Sequence, residues 1–129
     1  MPFAVDLMKS INCECIVETI SAKSYGNAIE SSGDVKIYPE NLMVEDKEII
    51  IVEDIVDTGR TLTALKKKLK QQNPKSIEIA SLFSKPAQRE VEIDVKYVGI
   101  EIPPKFIVGY GLDYAEFGRH LPAVYQLCS

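Results

Sequence analysis

The sequence predicts an α/β fold built on a parallel sheet, and three neighbouring stretches carry that prediction. "EIIIV" (48–52) is a continuous apolar run, the pattern of a strand covered on both faces. Between Thr61 and Gln72, Leu62, Leu65 and Leu69 recur at helical spacing, giving one buried stripe. "SIEIASLF" (76–83) then returns as a second strand, so the order strand–helix–strand implies a right-handed crossover between parallel strands.

The other elements follow from the same rules. Phe3, Ala4, Leu7, Met8 and Ile11 make an apolar stripe over residues 2–11, and Pro2 suits a first helical turn, where its missing N–H costs nothing. "ECIVETI" (14–20) reads as a strand, with Cys13 and Cys15 on one face as buried thiols. "SAKSYGNAIESSGD" (21–34) is rich in small, polar and turn-forming residues, and reads as a long loop or loose hairpin of the kind used as a lid. "VKIY" (35–38) returns as a short strand, Asn73-Pro74 stops the helix that follows, and "VKYVGIEI" (95–102) is a further strand. Lys66, Lys67, Lys68 and Lys70 form a solvated face near a helix C-terminus, where cations complement the dipole.

Composition narrows the function classes. The 129 residues, 46% hydrophobic and 26% charged, suffice for one domain with a real core, and neither a repeat nor a linker divides them. A net charge of -4 is wrong for a general nucleic-acid binder. No apolar run approaches the roughly 18 residues of a membrane span. The first residues lack the basic region and cleavage site of a signal peptide. Three cysteines, an odd number, suit a reducing, cytoplasmic setting.

The chemistry lies in "VEDIVDTGRTL" (52–62). Ligands of open α/β sheets sit beyond the carboxyl ends of the strands, and Glu53, Asp54 and Asp57 follow such an end directly. Asp57, Thr58, Gly59, Arg60 and Thr61 then form a turn into a helix. Gly59 permits close backbone approach, two threonines supply hydroxyls, and the first N–H groups of the helix face an anion. It is a monophosphate cradle without the GxxxxGK[ST] of a Walker loop. Carboxylates beside an anion site call for a cation or a hydroxyl-bearing ligand between them. A ribose 5-phosphate satisfies both, phosphate on the amides and diol on the acids, with Mg²⁺ as a second way to use the carboxylates. An apolar strand before Glu53-Asp54 superficially suits a phosphoacceptor signalling domain too, but the acidic pair which that class needs near its N-terminus is absent and the turn would be unexplained.

"VEDIVDTGRTL" resembles the phosphate-loop motif of the type I phosphoribosyltransferases. "KFIVGYGLDYAEFGRHLPAVYQL" (105–127), with "SYGN" (24–27) and Lys85 after a strand, is similar to the hypoxanthine-guanine phosphoribosyltransferases along essentially the whole chain. The resemblance implies a Rossmann-like parallel sheet with flanking helices and a small hood: one domain over 1–129, a lid at about 21–36, a 5-phosphate loop at 53–61 and a purine-binding hood at about 85–127. It also implies purine salvage, in which phosphoribose passes from 5-phosphoribosyl 1-pyrophosphate to hypoxanthine or guanine with Mg²⁺, giving IMP or GMP and pyrophosphate.

Residue by residue, the resemblance assigns Glu53 and Asp54 to the ribose hydroxyls and magnesium, and Asp57 to proton transfer at purine N7. It assigns 57–61 to the 5-phosphate. Lys85 falls to the 6-oxo group, Phe106 to stacking on the base, and Ile107 to the Watson–Crick edge through its backbone. Asp113 becomes a second magnesium and purine-edge position, Arg119 a pyrophosphate ligand, and Ser24 and Tyr25 the lid tip. His120, the sole histidine, receives no role.

In the family a strand and a pyrophosphate-binding loop precede the helix that "PFAVDLMKSI" resembles, and nothing in this chain matches them. An N-terminally shortened fold is therefore expected, with an exposed sheet edge that favours a homo-oligomer, dimer or tetramer. The alternative function is a nucleotide-binding member of the same fold without turnover.

Overall fold

The computed structural model describes residues 1–24 and 35–128. Helix α1 (Pro2–Ser10) opens the chain with Pro2 in its first turn, as the stripe predicts, but it buries none of its residues fully. Strands β1 (Ser21–Ser24) and β2 (Val35–Tyr38) pair antiparallel, Ser21 opposite Tyr38 and Ser24 opposite Val35, so the two ends of the expected lid form a hairpin stem. Tyr25 and the rest of the expected lid to residue 34 lie outside the described residues.

The centre of the fold is β3 (Glu48–Val56), α2 (Arg60–Lys70) and β4 (Ser76–Ser84), with β5 (Tyr97–Glu101) beyond. The sheet order is β3-β4-β5, all parallel; Ile49 stands opposite Ile77, Ile51 opposite Ile79, and Ala80 opposite Tyr97. Leu62, Leu65 and Leu69 of α2 are buried, the stripe read from the sequence. They pack with Ile51, Val56, Ile77, Ile79, Ile37 and Val44. Each such side chain contributes roughly 1.5–3 kcal/mol by leaving water. The lysines of α2 stand on its other side, three of them in the last turn. Beyond β5, β6 (Ile107–Val108) and β7 (Tyr125–Gln126) pair antiparallel and enclose a C-terminal hairpin.

Three expectations are corrected. β3 is covered on one face only: Ile51 is buried, whereas Ile50 is 53% and Val52 38% exposed. A continuous apolar run cannot report which face a helix will cover. Residues 14–20 form no strand, because a strand exists only through a ladder and this segment has no ladder partner among the described residues; Ile16 and Val17 are exposed. Cys13 and Cys15 are accordingly exposed free thiols, as is Cys128. No helix among the described residues is long and apolar enough to cross a membrane.

Candidate active site at the carboxyl ends of β3 and β4

β3 ends by delivering Glu53 and Asp54 and then breaks into the turn Asp57–Gly59 before α2 begins at Arg60. Gly59 caps α2 with φ +81°, a left-handed conformation that strains any residue with a Cβ. The N-cap residue supplies no side-chain hydrogen bond, and the Arg60 N–H makes one long contact, 3.4 Å to Thr58 Oγ1. The start of the helix, at the positive end of its dipole, is where an anion would be favoured. The turn is internally braced: the Thr58 N–H donates to Asp57 Oδ1 at 2.6 Å, and the Thr63 hydroxyl to the Gly59 carbonyl at 2.7 Å.

The two upstream acids stand in different surroundings. Glu53 is half-buried, and burial is the main reason its carboxyl is held above the usual carboxylate range. The Asp54 N–H, which donates to Glu53 Oε1 at 3.1 Å, works against that rise, and the charges of Asp54 and Asp57 add to it. Asp54 meets the N-terminal ammonium of Met1 at 3.4 Å. Asp57 is exposed at the mouth of the turn, with one carboxylate oxygen on the Thr58 N–H.

Lys85 follows β4 and is buried, 8% exposed, an unusual place for a lysine. Its N–H donates to the Val56 carbonyl at 2.8 Å, which ties the end of β4 to the end of β3 beside the turn Asp57–Gly59. Its Nζ lies 5.9 Å from the centre of the Phe106 ring. Phe106 itself is 74% exposed, an aromatic face open to solvent above a buried cation. Ile107, the next residue, begins β6, and the Phe106 carbonyl accepts from the Leu127 N–H, so the C-terminal hairpin holds both.

Asp113 and Arg119, assigned to separate tasks by resemblance, meet as an ion pair at 3.2 Å. The second Asp113 oxygen accepts from the Glu116 N–H, and Arg119 Nη1 donates to the Gly111 carbonyl. Among the described residues no three His, Cys, Asp or Glu side chains converge on one point. The adjacent pair Glu53–Asp54 does suit Mg²⁺, which takes one or two carboxylates and completes its shell with water and substrate oxygens. A cation there would also relieve the unfavourable setting of the Glu53 charge. Ser24 ends β1, opposite Val35.

Sequence reasoning missed the residues behind the turn. Glu90 and Val91 donate their N–H groups to the Thr58 carbonyl at 2.9 and 3.2 Å, and the Glu90 carboxylate pairs with Arg60 Nε at 2.8 Å. Arg89 Nη2 donates to Ser84 Oγ at 2.7 Å. "REVE" carries no periodicity or motif, so no local signal marks these contacts. Nor did any mark the Tyr110 hydroxyl, which donates to the Asp6 carboxylate and joins the C-terminal hairpin to α1.

A parallel sheet with an acidic glycine turn leading from one strand into a helix, and a buried lysine at the end of the next strand, is the architecture of a type I phosphoribosyltransferase. The family model of the phosphoribosyl transferase domain matches residues 1–115. The hypoxanthine-guanine phosphoribosyltransferase of Bacillus subtilis is 43% identical over 125 residues, 96% of this chain and 69% of that protein. The bifunctional protein TilS/HprT of Listeria monocytogenes is 44% identical over 124 residues, of which this chain spans 19% of the length. The crystal structure of a hypoxanthine phosphoribosyltransferase from Staphylococcus aureus superimposes with a TM-score of 0.89 at 39% identity, covering 98% of this chain and 70% of that one. The chain belongs to the phosphoribosyltransferase family and, within it, to the hypoxanthine-guanine phosphoribosyltransferases.

Proposed function

We propose that this chain transfers phosphoribose from 5-phosphoribosyl 1-pyrophosphate to N9 of hypoxanthine or guanine, releasing pyrophosphate and IMP or GMP. The observation that carries the reading is the joining of the phosphate turn to buried Lys85 through the 2.8 Å bond between the Lys85 N–H and the Val56 carbonyl. Phosphate and base recognition thus share one rigid edge.

In this reading the turn 57–61 holds the 5-phosphate, and Glu53 and Asp54 take the ribose hydroxyls and Mg²⁺. The ion, when bound, offsets charge on the leaving pyrophosphate. Attack at the anomeric carbon passes through an oxocarbenium-like state, which nearby carboxylates stabilise. Asp57, exposed at the mouth, takes the proton from N7 of the base. Lys85 donates to the 6-oxo group. A 6-amino purine would turn a donor toward the same ammonium, a mismatch of about 1–3 kcal/mol. Phe106 stacks on the base, the Ile107 backbone meets its edge, and Asp113 supports that edge. Arg119 reaches pyrophosphate by exchanging its Asp113 and Gly111 contacts, and a lid over 21–36 with Ser24 and Tyr25 at its tip keeps water from the cation. The chain acts as one unit, 1–129, with the hood over 85–127. Exposed free thiols suit a cytoplasmic setting, and β3, an edge strand among the described residues, suits a homodimer or tetramer.

The test follows magnesium-dependent formation of IMP or GMP on the purified chain, alongside calorimetric titration with GMP. Turnover that Asp57→Asn lowers by about 10²–10⁴-fold supports the reading. Binding without turnover assigns the chain to nucleotide recognition alone. Neither signal overturns the proposal.

A further inference from the structure

We propose that Arg89, Glu90 and Val91 form a strap that presets the phosphate cradle, with Arg89 as its positioning residue. The inference rests on the reading of 57–61 as a phosphate site. The Thr58–Gly59 peptide is trans, so its carbonyl and its N–H point in opposite directions. The carbonyl is gripped from behind by two donors, the N–H groups of Glu90 and Val91. Gly59 N–H is thereby aimed away from the strap, to the side a ligand approaches.

The strap also closes the rear of Gly59. A Cβ built there would lie 3.0 Å from Ile93 Cγ2, 3.1 Å from the Val91 carbonyl oxygen and 3.2 Å from Arg89 Cδ. Glu90 draws the Arg60 side chain onto the same rear face.

Arg89 anchors this arrangement to the sheet. Its stem lies behind Gly59, and its Nη2 donates to the buried Ser84 hydroxyl, one residue before Lys85. One guanidinium therefore links the rear of the phosphate turn to the strand end that carries base recognition. Its Nη1 is buried with no hydrogen-bond partner among the described residues. A side chain needed only to fill space would not carry that penalty. Holding the cradle amides in place before the ligand arrives removes an ordering cost from phosphate binding, and from nothing else in the ligand.

The experiment compares GMP with guanosine, which lacks only the phosphate, on the full chain and its variants. Arg89→Met keeps the stem and removes the guanidinium. It is expected to weaken GMP about tenfold and guanosine less than about twofold. Arg89→Lys, able to donate to Ser84, restores most of the loss. Equal losses for both ligands, or none for GMP, overturn the strap. If the unaltered chain binds neither ligand, the phosphate-site reading itself fails. Amide hydrogen exchange then decides whether the strap exists. Faster exchange at Gly59 and Arg60 in Arg89→Met, with exchange in β4 unchanged, supports the brace. Unchanged exchange at those amides overturns it.

Discussion

The β3–α2–β4 unit and the C-terminal hairpin from Phe106 to Leu127 both carry candidate site residues but are held by different forces. In the first, Leu69 is 2% exposed and Ile79 fully buried, and the turn Asp57–Gly59 stands on that core. In the second, among the described residues only Val108 is a buried hydrophobic side chain, while Phe106 and Phe117 are exposed. Shape there comes from backbone turns, with Tyr110, Ala115 and Glu116 at positive φ, and from polar contacts such as Asp113–Arg119. Burial holds the first region, whereas local turns and ion pairs hold the second; under the proposed function these would be the phosphate side and the base side of the site.

The contrast is broken most strongly at Leu69. Leu69→Ala should cost about 2–5 kcal/mol in chemical denaturation, because the cavity opens under both α2 and the sheet. Phe106→Ala is the mirror case. Stability should change by less than about 0.5 kcal/mol, as expected for an exposed side chain. Calorimetry should nevertheless show weaker GMP binding by about 1–3 kcal/mol, the usual worth of base–aromatic stacking. A result in which Phe106→Ala unfolds the chain would show that the hairpin is also held by its core.

Gly59→Ala probes the seam between platform and ligand. A left-handed alanine costs about 1–2 kcal/mol, and the crowding by Ile93 and Val91 adds to that. Both melting temperature and GMP affinity should fall. Asp113→Asn should move stability by no more than about 1 kcal/mol, since the pair is solvent-exposed and salt-screened. A larger loss would make the hairpin less adjustable than its exposure implies.

Glu53→Gln has the smallest effect and an unusual sign. Burial raises the folded-state pKa of Glu53 above its unfolded value, so the folded chain prefers the proton. The group therefore costs stability once pH has risen through the folded pKa, and the cost disappears below the unfolded value. Glu53→Gln should stabilise the chain slightly at pH 7 and leave it unchanged well below the ordinary carboxylate range. Thermal melts at the two pH values check this. If Glu53 holds the ion as proposed, the same variant should lose magnesium-dependent binding of GMP, checked by titration with and without the ion.

How far the site was legible follows from where its partners lie in the chain. The turn Asp57–Thr61 was readable because its parts are contiguous: acid, hydroxyl, glycine and helix start determine one another within five residues. The stripe Leu62, Leu65, Leu69 was readable because helix geometry maps spacing directly onto one face. "ECIVETI" was misread because β-propensity describes a residue's fitness for a ladder and says nothing of whether a partner strand is present. The Asp113–Arg119 pair reads from the sequence as two separate residues, since five residues of irregular backbone lie between them and only their turns bring them together.

The sequence by itself determined the class of fold, the helical and strand periods, and the turn at Asp57–Gly59 that leads into α2, all consequences of interactions between near neighbours in the chain. Tertiary structure alone decided that one face of β3 stays open, that Lys85 is buried beside Phe106, that Met1 meets Asp54, and that Arg89 to Val91 close the back of Gly59. Those outcomes depend on which surfaces pack together across long stretches of chain. No local propensity encodes such a distance.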